Sequence, residues 1–93
     1  MVGQNMICKT MKIKNNVGLH ARPVSVIAAE AQKYCSEISL THGCDAVSAK
    51  SSVKLLSLCV GAGHTVELIC DGPDEKIAME QLTKVFEHIN EEN

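Results

Sequence analysis

Residues 17–34 read VGLHARPVSVIAAEAQKY, and the reading of this stretch decides the fold. Val24, Ile27, Ala28 and Ala31 recur at i, i+3, i+4 and i+7, which draws one apolar stripe along a helix. Pro23 suits the first turn of that helix, where its missing N–H breaks no internal bond. The helix therefore starts at or next to His20.

The flanking segments have period two instead. Upstream, MICKTMKIK (6–14) puts Ile7, Lys9, Met11 and Ile13 on one face of a strand, with lysines at its ends as at a sheet edge. Asn15, Asn16 and Gly18 then mark a turn. Downstream, SEISLTHG alternates Ile38 and Leu40 with Ser39 and Thr41. Gly43 turns the chain into CDAVSAK, where Val47 carries the apolar side, so the pair reads as a β-hairpin.

Ser51 or Ser52 can cap a short helix, SVKLLSL, holding Val53, Leu55, Leu56 and Leu58. CVGAG is read as a flexible loop, and HTVELIC as a strand with Val66 and Leu68 on one face. Pro73, Asp74 and Glu75 open a last helix whose stripe is Ala78, Leu82, Val85, Phe86 and Ile89. The expected order is βαββαβα: an α+β, two-layer fold with three helices on one face of a four-stranded, mainly antiparallel sheet, its other face open to water.

With 93 residues the chain suits one domain, residues 1–93, with 1–5 as a short N-terminal extension. Apolar residues make up 45% but aromatics only 2%, so the core must be aliphatic. A net charge of −2 with mixed signs gives no basic stripe, so no nucleic-acid partner is expected. No run of about 18 apolar residues exists to insert in a membrane, and MVGQNMICKT lacks the order of a signal peptide. A cytoplasmic location is the expectation. Cys8, Cys35, Cys44, Cys59 and Cys70 are odd in number and form no CxxC, which argues against a disulfide framework or a zinc clip. They are expected to be small, buried or half-buried hydrophobes in a reducing compartment.

The candidate site is the head of the first helix. A helix N-terminus carries unpaired N–H groups and partial positive charge, which attracts anions. That field favours the uncharged, nucleophilic form of an imidazole placed there. Neutral His20 can attack phosphorus, with the Ala21 and Arg22 N–H groups receiving the phosphoryl oxygens. Arg22 adds a fixed charge and planar donors suited to phosphate. A lone histidine at a helix start is often incidental, and spacing by itself names no reaction. His42 sits by the hairpin turn, His64 at a strand entrance, and His88 near the C-terminus of the last helix, where the dipole accounts for it. Nothing at i+3 or i+4 from His20 suggests a metal, no cofactor is called for, and no nucleophile elbow supports a hydrolase.

Gly18-Leu19-His20-Ala21-Arg22-Pro23 closely resembles the signature of the HPr family, the histidine-containing phosphocarriers of the bacterial phosphoenolpyruvate-dependent sugar phosphotransferase system. KTMKI, the KY ending of the first helix, AKS before the short helix and GPDE before the last one also fall where that family has related residues. The correspondence runs without gaps from Met6 to about residue 90. The resemblance implies an open-faced β-sandwich. It also implies that His20 accepts a phosphoryl group on Nδ1 from enzyme I and passes it to the A component of a sugar permease, while Arg22 steadies the phosphohistidine. As a carrier, the protein would be a substrate of its partners rather than a free-standing catalyst, and a monomer suffices.

The resemblance also implies a docking patch. Ser25, Val26 and Ala29 lie off the buried stripe, and with Val53, Lys54 and Leu56 they would make a shallow apolar surface with a basic rim. On sequence alone Val53 and Leu56 fit a core equally well. Ser51 matches the serine that an HPr kinase phosphorylates in some members, although a plain N-cap serine explains it too. Ser52 and Lys54 depart from the family pattern around that site, and Val24 stands where a smaller residue is usual. The alternative function is a regulatory paralogue binding a transcriptional regulator or enzyme, or a carrier in a nitrogen-branch chain. The presence of both His20 and Arg22 favours the sugar carrier.

Overall fold

A computed structural model, describing residues 6–91, gives the order β1 (Ile7–Lys12), α1 (Ala21–Ala31), β2 (Glu37–His42), β3 (Asp45–Ser48), α2 (Ser52–Ser57), β4 (Thr65–Asp71) and α3 (Glu75–Glu91). This is the expected βαββαβα order. The extension assigned to residues 1–5 lies outside the described residues.

The four strands form one sheet in the order β1-β4-β2-β3, with every pair antiparallel. β1 is an edge strand, as its lysines suggested. Register explains the two faces. Ile7 and Met11 stand opposite Cys70 and Val66, Leu40 stands opposite Leu68, and Val47 opposite Leu40. Side chains directly opposite share a face, so these residues all meet the helices. Ser39, Thr41, Glu67 and Ile69 fall on the other, partly solvated side.

The helices cover that apolar face. Val24, Ile27, Ala28 and Ala31 of α1 are all buried, as the stripe predicted. In α3 the stripe is Ala78, Leu82, Phe86 and Ile89, joined by Met79, while Val85 is only half-buried against the core. Met79 follows Ala78 on the same face and was missed. The first helix also ends sooner than predicted. Beyond Ala31, Lys33 and Tyr34 donate to the carbonyls of Glu30 and Ala31, the tight i→i−3 pattern that closes a helix.

Two expectations need correction. Only Cys70 is buried; Cys8, Cys35, Cys44 and Cys59 are exposed and free. Cys70 alone has a strand register facing the helices, whereas the others occupy the outer face of β1, loops or a turn. Its burial pushes the Cys70 thiol up to about 11. The segment 59–63 is also not a loose loop. Val60 is buried, and its carbonyl and that of His64 bind the chain before α1.

At the far end of α1, a different contact joins the layers. The Asp74 carboxylate, just before α3, accepts from the N–H groups of Cys35 and Ser36 and from the Ser36 hydroxyl. The Ser36 hydroxyl first, then the Cys35 N–H, holds that carboxyl below its usual range.

Candidate functional site

His20 is the N-cap of α1. Its backbone is extended (φ −105°, ψ −164°), and its carbonyl accepts the Val24 N–H at 3.1 Å, the first bond of the helix. A cap side chain ordinarily accepts one of the orphan N–H groups that follow, but the His20 ring does not. Of the three residues ahead of Val24, Pro23 has no N–H to offer. The first turn therefore presents two outward donors, those of Ala21 and Arg22, beside an exposed imidazole.

No acidic residue sits in that first turn. Arg22 is exposed, and the ion pair found among the described residues joins Lys33 to Glu30 instead. The guanidinium is thus not neutralised by a carboxylate. Two backbone donors, a fixed cation and an imidazole thus fall within three consecutive exposed residues at the head of α1, a combination whose chemistry suits an oxyanion.

The chain entering this site is held at successive points. Asn15 is buried, and its Oδ1 accepts the N–H groups of Gly18 at 2.6 Å and Val17 at 3.2 Å. Gly18 takes φ +74°, and a Cβ there would meet the Gly61 Cα at 2.7 Å and the Val60 carbonyl oxygen closer still. The Leu19 N–H donates to that same Val60 carbonyl at 2.9 Å. Ile13 donates to the His64 carbonyl and accepts from the Gly63 N–H, at 2.9 and 2.7 Å. The 13–19 loop and the 60–64 turn are therefore one hydrogen-bonded unit with His20 at its exit.

His42 and His64, read separately from sequence, stack with ring centroids 5.0 Å apart. His64 Nδ1 accepts the Gly61 N–H at 3.0 Å, so the ring buttresses the turn that supports Leu19. His42 Nδ1 lies 3.1 Å from the Leu58 carbonyl, which makes it a donor. Pairing of β2 with β4 brings them together, and no local pattern announces that. Asn15, by contrast, had a sequence signal: an asparagine in a turn commonly binds the backbone N–H two residues on, here that of Val17.

Ser25, Val26 and Ala29 are exposed on α1, and Val53, Lys54 and Leu56 are exposed on the adjoining α2. Val53 is 77% and Leu56 45% accessible, so neither belongs to the core that Leu55 and Leu58 supply. Val17, in the loop before His20, is exposed as well. Ser51 caps α2 as expected, its Oγ accepting the Lys54 N–H at 3.2 Å. Below the α1 surface, the half-buried Tyr34 hydroxyl donates to Glu30 at 2.6 Å. That bond and Lys33 hold the Glu30 carboxyl low, while burial and then the same bond push the phenol up to about 12. Among the described residues no three His, Cys, Asp or Glu side chains converge as a metal would require, and no helix is long and apolar enough to cross a membrane.

Residues 7–88 match the family model described as the PTS HPr component phosphorylation site. The phosphocarrier protein HPr of Treponema pallidum is 34% identical over 87 residues, which span 94% of this chain and 99% of that one. The HPr-like protein Crh of Halalkalibacterium halodurans is 40% identical over 82 residues, 88% of this chain and 98% of that one. Among solved structures, an HPr from Thermoanaerobacter tengcongensis superposes with a TM-score of 0.86 at 36% identity, covering 94% of this chain and 98% of its own.

Proposed function

This chain belongs to the HPr family of phosphocarrier proteins, and on that premise we propose that it relays a phosphoryl group through His20 in sugar uptake. Enzyme I, charged by phosphoenolpyruvate, is the donor, and the A component of a sugar permease is the acceptor. The His20 Nδ1 lone pair attacks phosphorus, a nitrogen–phosphorus bond forms, and the bond to the donor breaks. The second transfer repeats this toward the acceptor, leaving His20 as it began. The Ala21 and Arg22 N–H groups and the Arg22 side chain take the charge of the phosphoryl oxygens.

One observation carries this reading: His20 caps α1 without spending its side chain on the helix, so ring and orphan donors face the same solvent. The surface of Ser25, Val26, Ala29, Val53, Lys54 and Leu56 serves as the docking patch. An apolar centre of modest area with a basic rim suits brief contact with two partners in turn. The carrier acts in the cytoplasm as a monomer.

Ser51 is the site of regulatory phosphorylation by an HPr kinase. A phosphate there would sit at the N-terminus of α2, next to Val53 and within the docking surface, where its charge opposes docking. The likeness to the HPr-like protein Crh supports a second reading, a regulatory paralogue that works by binding a transcriptional regulator. The chain's own His20 and Arg22 favour the carrier.

The test is incubation with phosphoenolpyruvate and enzyme I, followed by mass spectrometry for one acid-labile phosphoryl group. The adduct is expected on the wild-type chain and absent from His20→Ala, while Arg22→Ala is phosphorylated but transfers slowly. A wild-type chain left unmodified by an enzyme I that charges another carrier overturns the reading. For Ser51, an acid-stable phosphate from HPr kinase and ATP is expected on the wild type and not on Ser51→Ala.

A further inference from the structure

We propose that Asn15 is a positioning residue for His20, acting through the loop rather than touching the phosphoryl group. The inference rests on the carrier reading and adds a part to it. Asn15 is a polar side chain only 4% accessible, placed five residues before the histidine. A buried amide is retained where it satisfies groups that would otherwise be stranded. Here the groups are the backbone N–H donors of Val17 and Gly18, both bound to the one Oδ1.

Those two donors belong to the bend that aims the chain into α1. Gly18 has φ +74°, and a side chain there would run into the Val60–Gly61 backbone. One residue on, Leu19 is buried and fixed by the Val60 carbonyl. His20 follows directly, with no side-chain bond of its own to set its place. Apart from the bond of its carbonyl to the Val24 N–H, the loop is what fixes the backbone that carries the ring to the Ala21 and Arg22 donors. Without the Asn15 acceptor, the Gly18 N–H is buried and unpaired, a cost the loop escapes by moving outward toward water. The ring then leaves its alignment with the helix N-terminus, and reactivity falls steeply with small misplacements of a nucleophile.

Docking should be spared, because Val26, Val53 and Leu56 are carried by α1 and α2 rather than by this loop. The expected signature is a split: Asn15→Ala lowers kcat for phosphoryl acceptance from enzyme I roughly ten- to hundredfold, with KM for the carrier nearly unchanged. Asn15→Asp keeps an acceptor of the same shape and should stay within about threefold of wild type. Ser36→Ala, which removes a buried hydrogen-bonding side chain at the opposite end of α1, should leave kcat unaltered.

The rates are measured at a temperature where urea titration shows each variant fully folded, alongside hydrogen exchange of the Gly18 amide. Slow exchange in wild type and Asn15→Asp, and fast exchange in Asn15→Ala, is the expected companion result. A wild-type kcat in Asn15→Ala, an equal loss in Asn15→Asp, or a loss confined to KM each overturns the proposal. If wild type accepts no phosphoryl group at all, the carrier reading fails, and the Gly18 exchange data still decide whether Asn15 holds the loop.

Discussion

Replacing Gly18 by alanine tests the packing behind the site, and Gly43 supplies the internal control. Both glycines have left-handed backbones, φ +74° and +64°. Alanine in that region costs about 1–2 kcal/mol wherever it sits. The surroundings differ completely. A Cβ on Gly43 meets nothing within 4 Å, whereas one on Gly18 lies 2.7 and 2.9 Å from the Cα and carbonyl carbon of Gly61, with the Val60 oxygen nearer still. Those neighbours are backbone and cannot rotate away, so the 13–19 loop and the 60–64 turn must separate. Forcing atoms into a filled site adds about 1–3 kcal/mol. Gly18→Ala should therefore lose roughly 2–5 kcal/mol against 1–2 for Gly43→Ala. In a domain of this size each kcal/mol lowers Tm by about 4–8 °C. Calorimetry or thermal circular dichroism should show the Gly18 variant melting at least about 4 °C below the Gly43 variant. Equal melting temperatures would refute the close approach of the two backbones. The folded Gly18 variant should also expose its Leu19 amide to exchange, since the bond to the Val60 carbonyl lies next to the insertion.

Three further outcomes follow from other parts of the molecule. The Asp74 carboxyl is held below its ordinary value of 3.8, so its ionised form adds stability above that pH, which is lost as pH falls through the lowered folded value. Urea midpoints should show Asp74→Ala less stable than wild type at neutral pH, with the gap closing as pH falls below 3.8; a gap independent of pH would contradict the bonds to Cys35 and Ser36. Cys59 carries φ +54° without being glycine, just past α2, so Cys59→Gly should raise stability by about 0.5–1 kcal/mol, the left-handed penalty less the extra chain entropy that glycine loses on folding. A drop in the urea midpoint would mean that the thiol makes a compensating contact. Finally, Val53→Glu with Leu56→Glu changes exposed side chains and should alter stability by under about 0.5 kcal/mol per site. It should raise the KM for enzyme I at least tenfold, and an unchanged KM would remove these residues from the docking patch.

Much of this was legible in the chain itself. The stripe Val24-Ile27-Ala28-Ala31 with Pro23 in the first turn, the alternation in 37–42 and 65–71, and the serine ahead of Val53 are local patterns. Each is complete within one or two helical turns or a few strand residues, and the helix-head histidine is part of the first. So the order of elements, and His20 beside Arg22 at a helix N-terminus, needed no tertiary information.

Other features depend on pairings that no local window contains. The sheet order β1-β4-β2-β3 joins segments more than fifty residues apart, and register decided that Cys70 is buried while Cys8, on the neighbouring strand, is not. Val53 and Leu56 are indistinguishable from Leu55 and Leu58 by hydrophobicity; only the packing of a six-residue helix says which pair faces inward. The Asn15 clamp and the Val60 carbonyl meet at Gly18 because β4 runs beside β1 and delivers the 60–64 turn to the loop before α1. Sequence thus specified His20 and the helix that presents it. The tertiary structure decided what holds the loop leading to that residue, because a backbone contact between distant segments depends on strand order and register, and those are properties of the whole sheet.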